Sequence, residues 1–271
     1  VRLGHIDYSN CIPVHALLLT GEVPPWLELT RGVPAELNRL LERGAIDVAP
    51  SSSIEFARHA DRYRLLPDLA IASDGAVESI LFEVDRPIAE LDGAEVAIPT
   101  ASATSVVLLR IILERRYGLT PRYRWFDQTA SDPLREGAAG ALWIGDVALR
   151  RGESGAAGEL VDLGEEWKAW TGLPFVFAVW QVAAGPERDD ELRALHRLLL
   201  ESRSYFEAHL DELAERFAPE HGLSAERMAR YWRRLEFGLG PALQAGLLHY
   251  YRLAAELGET PPVTELRWLT P

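Results

Sequence analysis

Apolar positions along the first half of the chain switch between the two-residue spacing of strands and the three-to-four-residue spacing of helices. Val1–Ile6 reads as a short strand, and Pro13–Leu19 as a helix whose first turn tolerates a proline without an N–H. Leu27–Thr30 is a second strand. Leu37, Leu40 and Leu41 mark a helix over Pro34–Arg43, closed by Gly44. Ile46–Ala49 is a buried strand that runs into Pro50, Ser51, Ser52 and Ser53, and a serine-capped helix is expected over Ile54–His59. Tyr63–Ser73 and Glu78–Val84 read as strands.

The alternation restarts near Gly93. Glu95–Ile98 is a strand, Pro99–Ser105 a polar turn, and Val106–Tyr117 a helix with Val106, Leu109, Ile112 and Leu113 on one face. Tyr123–Phe126, Gly140–Ile144 and Phe175–Ala183 are further strands, and Gly152–Gly158 reads as a loop. Beyond Pro186 only helices are expected: one stripe runs through Leu192, Leu195, Leu199, Phe206 and Leu210, Ser224 caps a second helix, and Pro241 opens a third. Strands alternating with helices imply an open α/β sheet, here in two runs and therefore in two lobes.

Composition narrows the function classes. The net charge of −13 opposes binding to nucleic acid or an anionic membrane. Lys168 is the only lysine among 28 basic residues, so an anionic ligand would be held by hydroxyls, amides and helix dipoles rather than by lysine. Cys11 is the only cysteine, which excludes a disulfide framework, and no Cys/His spacing points to a metal. The opening VRLGHIDYSN has neither the basic nor the apolar region of a secretion signal, and a cytoplasmic location is expected. No glycine-rich phosphate loop, GxSxG elbow or HExxH is present.

In open α/β sheets, ligands sit beyond the carboxyl ends of strands. Three segments place small polar residues there: Tyr8-Ser9-Asn10, Ser51-Ser52-Ser53 and Ser102–Ser105 with Thr104. Any one serine before a helix is ordinarily a cap; three at matching strand ends point to a shared site. Asn10 can both donate and accept, which suits a hydroxyl or ether oxygen. Ser79 opens a strand, and Gly145 and Asp146 follow another, where Asp146 suits an acid/base role or a helix cap. His5 reads as a core histidine and Cys11 as a packing residue. Asp47 and Asp162 read as strand-end solvated carboxylates, and Trp167 and Trp170 as core or hinge aromatics.

These segments resemble a known family. Gly4–Pro13 (GHIDYSNCIP), Gly44–Ser52 (GAIDVAPSS), Ala70–Leu81 (AIASDGAVESIL), Ser102–Ser105 (SATS), Leu142–Leu149 (LWIGDVAL) and Asp162–Trp180 occur in the order seen in chorismate dehydratases of the futalosine route to menaquinone. The resemblance implies an α/β fold like that of type II periplasmic binding proteins, with two lobes, a ligand cleft between them and C-terminal helices. Its lobes would comprise residues 1–92 with 174–271, and 93–173. It implies loss of water from chorismate with no cofactor and no metal, the substrate's own enolpyruvyl carboxylate taking the proton. Asn10 and Ser79 would act at the reacting centre. Ser51, Ser52, Ser102, Thr104, Ser105, Gly145 and Asp146 would bind the substrate. A sister family, 1,4-dihydroxy-6-naphthoate synthase, shares the fold but has a Pro-Asn-Asp turn after the first strand and a histidine near Gly145 or Asp146, which this chain lacks. A non-enzymatic solute-binding protein is the third reading.

Overall fold

The computed structural model describes residues 1–183 and 185–270. Ten strands divide into two five-stranded sheets, ordered β2-β1-β3-β10-β4 and β7-β6-β8-β5-β9. The first holds β1 (Arg2–Ile6), β2 (Glu28–Gly32), β3 (Val48–Ser52), β4 (Arg64–Ser73) and β10 (Phe175–Val182). The second holds β5 (Ile80–Val84), β6 (Glu95–Pro99), β7 (Arg122–Phe126), β8 (Gly140–Ile144) and β9 (Glu159–Asp162). In each sheet three neighbouring strands run parallel. The fourth position is then taken by a strand running antiparallel: β10 between β3 and β4, and β5 between β8 and β9.

Both antiparallel strands arrive from the other sheet. The chain leaves β4 at Ser73 and enters the second sheet as β5; it leaves β9 at Asp162 and returns as β10. A boundary at residue 92 therefore misplaces β5, whose partners are β8 and β9. The reason is chemical as well as topological. Glu83 of β5 is fully buried and accepts hydrogen bonds from Trp143 Nε1 (3.0 Å) and the N–H groups of Ala157 and Gly158, and pairs with Arg151. A buried carboxylate is tolerable only with such partners, and all of these lie on β8, on the helix that follows it or on the segment before β9.

Helices α1 (Ile12–Thr20), α2 (Pro34–Glu42) and α3 (Ser53–Arg58) follow strands of the first sheet, and α4 (Thr104–Ile111) and α5 (Gly145–Ser154) follow strands of the second. Three sequence expectations change here. The strand expected to end at Ala49 continues through Ser52, so Ser51 and Ser52 are strand residues. Helix α4 begins at Thr104, two residues before the expected start, and widens into a π turn over Ile112–Arg116. Of the segment read as a loop, residues 152–154 are the end of α5 and 155–158 are the loop; β9, whose end at Asp162 was expected, and the unforeseen α6 (Leu163–Thr171) follow it.

Asp162 is far from solvated. It caps α6 by accepting from the N–H groups of Gly164 (2.9 Å) and Glu165 (3.2 Å), and also accepts from Val77 (3.1 and 3.0 Å) and Glu78 (2.6 Å). One carboxylate thus ties the segment leading into β5 to the segment leading out of β9. Asp47 is likewise buried, paired with Arg2 and Arg188. Trp167 of α6 is a core residue, set edge-on to Phe175 and Tyr250.

The remaining helices are α7 (Asp189–Ala208), α8 (Leu210–Phe217), α9 (Ala225–Trp232) and α10 (Pro241–Glu256). The apolar stripe expected to run unbroken to Leu210 is interrupted at His209, which separates α7 from α8. Ser224 caps α9 through the N–H of Arg227, 3.1 Å away, a contact worth about 1 kcal/mol. No helix among the described residues is long and apolar enough to cross a membrane.

Candidate active site

The chain turns sharply after β1. Tyr8 is extended, Ser9–Cys11 forms a single short turn, and α1 follows with Pro13 in its first turn. This geometry places Asn10 at a strand end with its side-chain oxygen buried and without a hydrogen-bond partner. An unpartnered buried carboxamide oxygen is costly unless a ligand or water fills the site.

That turn borders a cavity of about 60 Å³ between the sheets. Its polar wall is Tyr8, Asn10, Ser52, Ser102, Ser105 and Gly145; Ile71, Ile80, Ile144 and Phe177 supply much of the apolar wall. The three polar segments found at strand ends in the sequence therefore meet in one place. No charged residue among the described ones lines this cavity. An adjoining cavity of about 250 Å³ shares Pro34, Ser52, Ala101 and Ser102, and adds Ser51, Asn38, Arg39 and His59. Ser51 Oγ donates to Asn38 Oδ1 at 2.6 Å, and Ser102 Oγ accepts from the N–H of Ser105 at 3.3 Å.

Ser79 lies one residue from the lining Ile80 and is almost wholly buried. It follows Glu78, a non-glycine residue in the left-handed region at φ 62°, whose carboxylate pairs with Arg227 and Arg234. Tyr231 of α9 donates its hydroxyl to Ser79 Oγ at 2.9 Å. Burial pushes the Tyr231 phenol above its ordinary range, so it stays protonated at neutral pH. The next residue, Trp232, donates Nε1–H to the Ser9 carbonyl at 2.9 Å.

Two expected ligand-binding positions have other partners. Thr104 Oγ1 accepts from the N–H of Ile54 at 3.2 Å and lies 3.3 Å from Ser53 Oγ, so it joins the start of α4 to the start of α3. Asp146 does not line the cavity; it accepts from Ser9 Oγ at 2.5 Å and meets His221 Nδ1 at 2.7 Å. Gly145 does line it, at φ 60°, with a hypothetical Cβ 3.4 Å from the Tyr8 ring.

Behind the turn, His5, Cys11 and His15 bring one potential metal-binding atom each within 4.8 Å of one another. Trp180 Nε1–H donates to His15 Nε2 at 3.1 Å, which places the proton of neutral His15 on Nδ1, facing His5 Nδ1 at 2.9 Å. That nitrogen is then a donor rather than a metal-ligating lone pair. Burial lowers the pKa of His5 to about 4 and that of His15 well below its ordinary value, and raises the Cys11 thiol to about 12. The cluster is a neutral hydrogen-bonded core, as the apolar context of His5 suggested.

The family model described as menaquinone biosynthesis matches residues 1–256. The chain belongs to that family. Chorismate dehydratase of Thermus thermophilus is 33% identical over 265 residues, covering 90% of this chain and 92% of the relative. Chorismate dehydratase of Campylobacter jejuni is 32% identical over 179 residues, 65% of this chain and 64% of the relative. Among solved structures, protein AF1704 from Archaeoglobus fulgidus superposes with a TM-score of 0.77 at 21% identity, covering 95% and 97% of the two chains. The periplasmic aliphatic sulphonate binding protein SsuA from Escherichia coli gives 0.68 at 13% identity, covering 96% and 93%. This menaquinone biosynthesis family member therefore has the periplasmic-binding-protein-like fold, as its sequence resemblance implied.

Sequence reasoning missed Tyr231, Trp232 and the double duty of Asp162. The only available signal for the aromatics was that Tyr231 and Trp232 fell on an amphipathic helix, where an apolar stripe reads as core. Their polar tips carry the information, and those tips find partners far away in sequence.

Proposed function

We propose that this chain is a chorismate dehydratase, removing water from chorismate to give 3-[(1-carboxyvinyl)oxy]benzoate. The observation that carries the reading is the convergence of Asn10, Ser52, Ser102 and Ser105 on one cavity between two sheets. The ligand is a small dianion, and it is held without a lysine: hydroxyls and backbone N–H groups at strand ends and at the start of α4 supply the positive end of fixed dipoles. We assign residues 1–73 with 175–271 to one lobe and 80–171 to the other, joined through 74–79 and 172–174.

In the reaction a ring C–H bond breaks, its electron pair forms the new ring double bond, and the neighbouring C–O bond breaks. The enolpyruvyl carboxylate takes the proton and passes it to the departing hydroxide, which leaves as water with the carboxylate restored, and the ring becomes aromatic. The protein's work is alignment. Asn10 and Ser79 hold the departing hydroxyl, the unpartnered Asn10 Oδ1 accepting its hydrogen and Ser79 donating to its oxygen. Ser51, Ser52, Ser102 and Ser105 receive the carboxylates. Thr104 and Asp146 fix the walls rather than touch the substrate.

Incubating the purified protein with chorismate and following the aromatic product by absorbance and mass tests the reading. Loss of one water per chorismate, reduced about 100-fold or more in Asn10→Ala and Ser79→Ala with the fold retained, is the expected result. Chorismate recovered unchanged overturns it.

A further inference from the structure

Helix α9 holds both halves of the reacting centre. Asn10 stands on the turn after β1, whereas Ser79 stands on the segment that carries the chain into β5, 69 residues later and in the other half of the molecule (79 − 10). Nothing in either strand ladder fixes the distance between them. Tyr231 of α9 reaches Ser79, and its neighbour Trp232 reaches Ser9, the residue before Asn10.

Its surroundings give the phenol one orientation. Tyr231 is 1% exposed, and the neighbouring Trp232, also 1% exposed, bonds to the Ser9 carbonyl. One turn earlier, Arg227 pairs with Glu78, the residue before Ser79. One short helix thus grips residue 9 on one side and residues 78 and 79 on the other. The hydrogen bond to Ser79 also has a polarity. The Tyr231 hydroxyl donates to Ser79 Oγ at 2.9 Å. Ser79 Oγ, having accepted, keeps its own hydrogen to donate. The Asn10 carbonyl oxygen is buried and has no partner among the described residues, so it is left to accept. A hydroxyl on a guest both donates and accepts, which is the complement of this pair.

We propose that Tyr231 is the positioning residue of the reacting centre, fixing Ser79 and the direction in which its hydroxyl faces the departing hydroxyl opposite Asn10. This rests on the assignment of Asn10 and Ser79 made above. Tyr231 does not touch substrate; it acts through Ser79.

Tyr231→Phe removes one oxygen and keeps the packing. Steady-state kinetics with chorismate should show kcat reduced about 10- to 100-fold and KM changed less than about threefold, with an unchanged thermal midpoint. In a Ser79→Ala background the same substitution should cost less than about threefold further, because the group it orients is gone. Tyr231→Leu, which also removes ring packing, serves as the structural control and should lower the thermal midpoint. Wild-type kcat in Tyr231→Phe, or an equal fold-loss with and without Ser79, overturns the proposal. So does a loss of activity in Tyr231→Phe that only tracks a fall in thermal midpoint. Wild-type turnover in both Asn10→Ala and Ser79→Ala overturns the site assignment and this inference with it. Loss in those two variants beside a fully active Tyr231→Phe overturns this inference alone.

Discussion

Ser9 and Asp146, 137 residues apart, meet across the two sheets with Ser9 Oγ 2.5 Å from Asp146 Oδ1. The Ser9 N–H faces the same carboxylate at 3.3 and 3.4 Å, and His221 closes its other side. This contact fixes the backbone of the residue before Asn10 to the first turn of α5. In Asp146→Ala the Ser9 N–H and hydroxyl lose their acceptor in a buried setting, at a cost of about 2 kcal/mol. We expect a lower thermal midpoint and at least about a tenfold loss of kcat/KM, since the turn carrying Asn10 is released. Calorimetry and steady-state kinetics check this; a variant matching the parent in both removes the contact from the mechanism.

Gly145 gives a second test. Its φ of 60° suits glycine, and an added Cβ would stand 3.4 Å from Tyr8 Cδ2. Gly145→Ala should therefore cost about 1 kcal/mol in backbone strain and add a methyl group beside Tyr8 in the cavity wall. A several-fold rise in KM for chorismate with the chain still folded is the expected reading. An unchanged KM would show that the Tyr8 wall does not shape the substrate site.

Asp162 is expected to matter for stability more than any surface carboxylate. Four backbone N–H groups, on Val77, Glu78, Gly164 and Glu165, share its two oxygens. Asp162→Ala should cost about 3 kcal/mol in denaturant unfolding, combining a lost helix cap with unsatisfied donors at the crossing segment. Asp211→Ala, which removes the partner of Arg233 at an exposed site, should cost under about 0.5 kcal/mol. Equal effects of the two substitutions would reject the special role of Asp162.

The His5 and His15 pair predicts a pH dependence. Burial, the dominant cause, holds His5 at about 4 and His15 well below the ordinary histidine value. A histidine whose folded pKa is depressed binds fewer protons folded than unfolded, so its stabilising contribution is complete above about pH 6.5 and is lost as the pH falls towards 4. For His5 alone the loss is on the order of 3 kcal/mol. Denaturant midpoints measured from pH 7 to 4.5 should fall, and imidazole resonances should show His5 neutral at pH 6. A His5 ring that titrates near 6.5 in the folded protein would refute the buried-pair account.

The sheet-forming segments and the three polar strand ends were legible because both follow from local chemistry: apolar periodicity, proline and glycine punctuation, and small polar residues before helices. Two kinds of feature were not. The sheet to which β5 belongs depends on the partners of Glu83, which sit between residues 143 and 158 and have no local signature. Asp146 and Thr104 had the right residue types for ligand binding, yet their partners Ser9, His221 and Ile54 lie on elements that only tertiary packing brings near. For Asp162 the cap was readable in principle, but its bonds to Val77 and Glu78 were not.

Strand β10 fills the gap between β3 and β4, yet it lies more than a hundred residues downstream of both. During synthesis the first sheet must therefore wait with β4 lacking its neighbour until the entire second sheet has left the ribosome. Maturation of the first sheet is then obliged to be late, non-local and slow, and its nascent form exposes an unpaired β3 edge.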